Sequence, residues 1–247
     1  MENINDTYFD GYYKDIWRAI IPDELTVKEV DFMLGYFNLK PGNKILDLMC
    51  GYGRHAIALA KKGMEVTAVD NLGDYTNEIK QVSGKENLPI KVEQASVIDY
   101  DPKEMFDLVI CMGNSLNFFN ATDTRLLFNK ISLHLKKGGH LLINSWSIAE
   151  IAIKNFQQKS WSEMGGKRFL VDCIYLFHPT RIETKHVIIT PDGQSETKNA
   201  VDYIYSVNEM ENMLKEAGLM LKEVYSIPGK KKFSLGEPRA YFVAEKV

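Results

Sequence analysis

At 247 residues, with 45% hydrophobic and 26% charged side chains and a formal net charge of -3, the chain has room for one large α/β domain, or one domain with an insertion, around a full core. The near-neutral balance leaves no electrostatic footprint for DNA or RNA, and no apolar run approaches the ~20 residues of a membrane span, so neither is expected as a partner. Cys50, Cys111 and Cys173 lie far apart without CxxC spacing, which suggests neither a zinc or other metal site nor a disulfide framework; with a polar N-terminus lacking a signal pattern, the expected compartment is cytoplasmic.

Residues 1 to 21 concentrate aromatic residues, and as a helix they would set Phe9, Tyr13, Trp17 and Ile20 on one face, with Tyr8 and Tyr12 beside it. Pro22 breaks the segment. Thr26 and Glu29 then read as a capping box opening a scaffold helix through Phe37. After the turn signal at Lys40 to Asn43, Ile45, Leu46 and Leu48 form an apolar run suited to a buried parallel strand. Gly51 and Gly53 follow as a tight turn, and a helix starts at Arg54. Gly51, Gly53 and Ala56 satisfy GxGxxA, with Asp70 about twenty residues on, as a dinucleotide fingerprint asks. Asp47 argues against a pyrophosphate, because a carboxylate on the strand ahead of the turn repels it and favours a ligand carrying positive charge.

Asp47-Leu48-Met49-Cys50-Gly51-Tyr52-Gly53 resembles motif I of the class I S-adenosylmethionine-dependent methyltransferases, roughly D-x-G-C-G-x-G, with Met49 in place of the first glycine. S-adenosylmethionine has an ammonium and a sulfonium and no phosphate, in keeping with Asp47. The resemblance implies S-adenosylmethionine as cofactor, with Asp47, Cys50, Gly51, Gly53 and Arg54 around it. It also implies that Asp70, ending the second strand Met64 to Asp70, takes the two ribose hydroxyls, with Asn71 at the adenosine edge. A helix from Tyr75 to Val82, interrupted by Gly84, and a strand from Ile90 to Ala95 come next. Ala95 to Asp99 aligns with the family's G-D-x-x-D stretch, which implies that the Ser96 hydroxyl accepts from the adenine amino group and the Val97 amide serves the ring.

Phe106 to Gly113 is the fourth strand, and its FDLV opening is a landmark of the same family. Ligands of open α/β sheets bind beyond the carboxyl ends of the strands, so Met112, Gly113, Asn114 and Asn117 are expected to line the site, unless the two asparagines serve turn chemistry. Gly113-Asn114-Ser115 resembles the turn of glycine N-methyltransferase-like and other small-molecule enzymes. Thr122 to Lys136 reads as an amphipathic helix stopped by Lys136-Lys137-Gly138-Gly139, followed by a strand from His140 to Trp146.

Beyond a helix from Ser147 to Lys159, Arg168 to Phe177, Arg181 to Thr190 and Ala200 to Ser206 read as three strands of a small antiparallel sheet inserted ahead of a helix from Asn208 to Ala217. Trp161, Tyr175, His178, Arg181, His186 and Tyr203 are its candidate wall residues. Met220 to Ile227 and Arg239 to Lys246 close the main sheet, and Lys230 to Lys232 between them reads as a solvated loop. The expected fold is a Rossmann-like α/β sheet of seven mostly parallel strands with an antiparallel last strand. A lid spans residues 1 to 40, the cofactor core 41 to 160 and 207 to 247, and the insertion 161 to 206 covers the substrate site, all in one domain.

The expected activity is methyl transfer to the nitrogen or oxygen of a small molecule, by a monomer or homodimer, with Tyr12, Trp17, Asn114, Trp146, His178 and Arg181 against the acceptor. No catalytic residue follows from the motifs, since in-line displacement needs mainly a positioned lone pair; a hydroxyl acceptor would call on a base such as His178, His186 or a tyrosinate. The alternatives are a regulator that binds the cofactor without turnover and an NAD-dependent oxidoreductase.

Overall fold

A computed structural model describes residues 3–247. Strands β1 (Lys44–Leu48), β2 (Glu65–Asp70), β3 (Ile90–Gln94), β4 (Phe106–Cys111) and β5 (Leu135–Ser145) come first in the chain. An insertion follows, with β6 (Lys159–Met164), β7 (Lys167–Phe177), β8 (Thr180–Ile189) and β9 (Ser195–Tyr203), and then β10 (Leu219–Ile227), β11 (Lys231–Lys232) and β12 (Ala240–Lys246). The helices are α1 (Tyr12–Ile20), α2 (Asp23–Tyr36), α3 (Arg54–Lys61), α4 (Gly73–Glu86), α5 (Ala121–His134), α6 (Ala149–Asn155) and α7 (Val207–Glu216).

The main sheet has the order β11-β10-β12-β5-β4-β1-β2-β3. The five strands β3, β2, β1, β4 and β5 are parallel, and β12 runs antiparallel to both β5 and β10. Strand order therefore reverses beside β1, and the carboxyl ends of β1 and β4 open the crevice where ligands of such sheets bind. Alternation along β1 sends Leu46 and Leu48 to one face, against Leu127, Phe128 and Ile131 of α5 and Met213 of α7. Ile45 goes to the other, against Met33 of α2, Leu59 of α3 and Ile79 of α4. Both faces are covered, which is why the parallel strands read as continuous apolar runs. By the same period Asp47 shares the face of Ile45 and is turned toward the α3 side.

Several boundaries differ from the sequence reading for identifiable reasons. Residues ahead of Tyr12 are not helical, because Gly11 has φ of 59° and the Tyr12 amide donates to Glu196 Oε2 at 2.8 Å. Phe9 thus precedes α1, and Ile20 is partly exposed instead of facing the core. Helix α2 starts at Asp23 after Pro22, so Thr26 and Glu29 lie inside it and form no capping box; their side chains turn to Arg54. Gly84 does not interrupt α4: nothing crowds it, and a helical glycine costs only about 1 kcal/mol. The Lys136 to Gly139 segment belongs to β5, entered directly from α5 through the buried Leu135, with a register irregularity opposite Phe106 and Leu108. A Cβ on Gly139 would sit 2.8 Å from the Lys136 carbonyl, so this glycine serves a tight backbone approach, whereas Gly138 supplies a φ of 74°.

The inserted sheet has four strands in the order β6-β7-β8-β9, all antiparallel, not three. The extra strand, β6, replaces the end of the expected Ser147 to Lys159 helix, and Gly165-Gly166, both at positive φ, turns it into β7. Lys231 and Lys232 pair with β10 as an eighth, two-residue edge strand and their ammonium groups bond to Glu237 and Glu223; both stay exposed, and Lys230 alone of the run lies in the turn. Among the described residues no helix is long and apolar enough to cross a membrane.

Candidate active site

The site forms where β1 ends. Met49 takes a φ of 54°, the left-handed geometry that costs a non-glycine residue roughly 1–2 kcal/mol, followed by Gly51 at 55° and Gly53 at 79°. Gly53 is required twice over, since a Cβ there would lie 2.6 Å from Ile79 Cγ1. The turn carries Asp47, Cys50, Gly51 and Arg54 to the wall of a cavity; Gly53 supports it from behind and does not line it. Asp70 closes the turn: its Oδ2 accepts from the Gly51 amide at 2.8 Å and its Oδ1 from the Leu72 amide at 3.0 Å. Each oxygen keeps a further lone pair for a ligand hydroxyl.

Asp47 is 1% exposed, and its Oδ2 is a fully buried polar atom with no hydrogen-bond partner among the described residues. Burial pushes its carboxyl up to about 7, a rise that Arg54 opposes and Asp70 adds to. Leaving such an oxygen unsatisfied costs about 1–3 kcal/mol. One fully buried neighbour such as Leu46 contributes a similar amount, so the fold carries the cost. Arg54 is held from α2: its Nη1 donates to Glu29 Oε2 at 2.6 Å and to Thr26 Oγ1 at 2.9 Å. Burial alone would raise the Glu29 carboxyl, but bonds from His55 and Tyr241 and the charge of Arg54 bring it down to about 2. His55, also buried, is pushed below its ordinary value and is neutral at pH 7.

Asn71, Ser96, Val97, Met112 and Gly113 also line the cavity, as does Trp17 of α1. Sequence reasoning missed a further group, Asn5, Asp6, Tyr52, Tyr75, Phe118 and Phe119, which complete its walls. Asn5 crosses from the N-terminal segment, its Nδ2 donating to the carbonyls of Phe118 at 3.2 Å and Val201 at 3.0 Å, while Asn71 Nδ2 donates to the Asp6 carbonyl at 2.9 Å. These polar residues precede the first helix and carry no periodic signal.

Other expected site residues stand elsewhere. Asn117 is buried, and its Nδ2 donates to the carbonyls of Ser147 and Tyr203. Asn114 is equally committed: Nδ2 donates to Ser147 Oγ at 2.8 Å and Asp202 Oδ1 at 2.9 Å, and Oδ1 accepts from Ser145 Oγ and from the amides of Trp146 and Ser147. Neither lines the cavity, and both weld the insertion to the ends of β4 and β5. Trp146 packs 5.7 Å from Trp17, one layer behind the wall. The Tyr12 hydroxyl donates to Gln194 in the β8–β9 turn. Arg181, near the start of β8, pairs with Glu183 and donates to the His178 and Pro179 carbonyls of the β7–β8 turn, and neither His178 nor Arg181 lines the cavity. Trp161 is 72% exposed on edge strand β6. His186 is buried between Phe169 and Tyr13, shares a 2.5 Å hydrogen bond with Tyr8, and is pushed down to about 4 by burial, so it is a neutral packing residue and no base.

Residues 45–139 match the methyltransferase domain family. That stretch, from β1 into β5, is a methyltransferase domain by this match. Over 239 residues it is 25% identical to a Geobacillus sp. (strain WCH70) protein assigned to the methyltransferases, covering 94% of this chain and 92% of that one. To human glycine N-methyltransferase it is 27% identical over 161 residues, spanning 58% of this chain and 55% of the relative. Among solved structures, an S-adenosylmethionine-dependent methyltransferase from Clostridium acetobutylicum superposes with a TM-score of 0.80 at 18% identity, covering 94% and 95% of the two chains. Its likeness bears on the fold alone.

Proposed function

We propose that this protein is an S-adenosylmethionine-dependent methyltransferase acting on a small molecule, at nitrogen or oxygen. The observation that carries the reading is the bare Oδ2 of Asp47, buried within reach of the Arg54 charge in a cavity that Asp70 also lines. A zwitterionic amino acid, joined through sulfur to a ribose, presents an ammonium to Asp47, a carboxylate to Arg54 and a diol to Asp70. A dinucleotide would set its pyrophosphate against Asp47. When bound, S-adenosylmethionine supplies an electrophilic methyl on a sulfonium. Phe9, Trp17, Phe118 and Phe119 bring apolar walls that exclude water, and the chain's contribution to rate is positioning.

Nitrogen is favoured over oxygen because a neutral amine needs no base, the two histidines a hydroxyl would call on stand off the cavity, and burial raises Tyr52 and Tyr75, the tyrosines that line it, away from the tyrosinate form. The name of the human relative places its methyl on the nitrogen of glycine, in keeping with this. The test is calorimetric titration with S-adenosylhomocysteine, with NADH as control, on the native protein and on Asp70→Ala. Tight binding of the first ligand alone, lost in the variant, is expected. NADH binding in its place would overturn the reading, and binding without turnover on a panel of small amines and alcohols would leave a regulator.

A further inference from the structure

Arg54 stands between two buried carboxylates and bonds to only one. Its Nη1 donates to Glu29 Oε2 and Thr26 Oγ1, both on α2, whereas Asp47 feels its charge without sharing a hydrogen bond. Glu29 is in turn fixed from two further elements: Tyr241 of β12 donates to Oε1 at 2.8 Å, and His55 Nε2 lies 2.9 Å from Oε2. It is 2% exposed, and every donor that reaches it comes from α3 or β12. A guanidinium has five N–H donors, and the two bonds named are both made by Nη1, so the rest of the fork is left for a ligand.

Without Glu29, the nearest buried anion for Arg54 is Asp47, whose Oδ2 has no other partner. A guanidinium that swung onto it would satisfy both groups and close the amino-acid end of the cavity. We propose that Glu29 is a positioning residue which, by gripping Arg54 from α2, keeps the guanidinium off Asp47 and so preserves two separate stations, a carboxylate for the ligand's ammonium and a guanidinium for its carboxylate. This rests on the S-adenosylmethionine reading, and it assigns Glu29, Thr26 and Tyr241, none of which touches the ligand, to ligand selection.

The test uses two probes that differ only at that end: S-adenosylhomocysteine, with the amino-acid portion, and 5′-methylthioadenosine, without it. Glu29→Gln is expected to weaken the first about tenfold or more, the scale of one hydrogen bond to a charged group, and to leave the second within about threefold. Retained methylthioadenosine binding shows that the variant is folded. Thr26→Val, which removes the weaker half of the grip and no charge, is expected to move the ratio in the same direction by about threefold, and it decides the matter if Glu29→Gln does not fold. Equal loss of both probes, or an unchanged ratio in both variants, would overturn the proposal and reduce Glu29 to a helix anchor. A native protein that binds neither probe would instead overturn the cofactor reading itself.

Discussion

Asp47→Asn is expected to stabilise the ligand-free protein while weakening its ligand. The carboxyl is raised from 3.8 to about 7, mainly by burial. The native state therefore holds this proton more tightly than the unfolded chain, and the group's contribution to stability falls as pH rises from about 4 to about 7. At 1.36 kcal/mol per unit the full swing is on the order of 4 kcal/mol. Asparagine does not titrate, so the variant escapes that loss, and between pH 5 and pH 8, where about two of those units remain, its stability relative to the native protein should rise by about 2.7 kcal/mol. Chemical denaturation at the two pH values reads it directly. Binding should move the other way. An ammonium at Asp47 requires the ionised carboxylate, so native affinity for S-adenosylhomocysteine should increase with pH up to about 7. The variant should bind about 10- to 150-fold more weakly at pH 8, with a flatter pH profile, as expected for loss of 1.5–3 kcal/mol from a charged hydrogen bond. Parallel pH profiles for the two proteins, in stability and in binding, would refute the assignment of the buried, bare carboxylate as the ammonium station.

Gly53→Ala should destabilise the protein by about 2–4 kcal/mol, read by denaturation, since it combines a left-handed backbone with a Cβ driven into Ile79. Asn120→Ala should cost about 1 kcal/mol and leave S-adenosylhomocysteine affinity unchanged, because its Oδ1 caps α5 by accepting from Thr122 and Asp123 and the residue lies off the cavity. Asn5→Ala removes the bonds that tie the N-terminal segment to Phe118 and Val201, and stopped-flow release of S-adenosylhomocysteine should quicken by about fivefold or more; an unchanged rate would mean that this segment does not gate exit.

The parallel half of the sheet was legible because burial on both faces writes each strand as a short apolar run ended by turn residues, as at Ile45 to Leu48 and Phe106 to Cys111. Asp47, Gly51 and Asp70, which all line the cavity, were legible from the motif that follows the first such run and from the acid that ends β2. What failed was local chemistry with two readings. Thr26 and Glu29 have capping-box spacing, and only partners from α3 and β12 show that their side chains leave the helix. Lys136 to Gly139 looks like a helix stop, yet Leu135 and His140 on either side pair with β4 and carry the segment within β5 as an irregularity. Strand β6 has little apolar pattern because it is an exposed edge; the signal overlooked was Gly165-Gly166, a hairpin turn.

The fate of Asn114 and Asn117 bears on selectivity. Asparagines at the carboxyl end of a central strand are natural ligand donors, but here every hydrogen-bonding group of Asn114 is spent on Ser145, Trp146, Ser147 and Asp202, and Asn117 is anchored to Ser147 and Tyr203. The bond to Asp202 and the bond to the Tyr203 carbonyl both reach β9, so the last inserted strand is fastened to the catalytic end of the sheet at two adjacent residues. The inserted sheet cannot slide relative to β4 without breaking buried hydrogen bonds, each costing about 1–3 kcal/mol if left unmade. On the proposed methyl-transfer reading, acceptor selection falls to a frame of rings, Trp17 with Trp146 behind it and Phe118 tied through its carbonyl to Asn5. A frame of that kind discriminates by shape and by the water it excludes, which suits a transfer whose main requirement is a lone pair held on line.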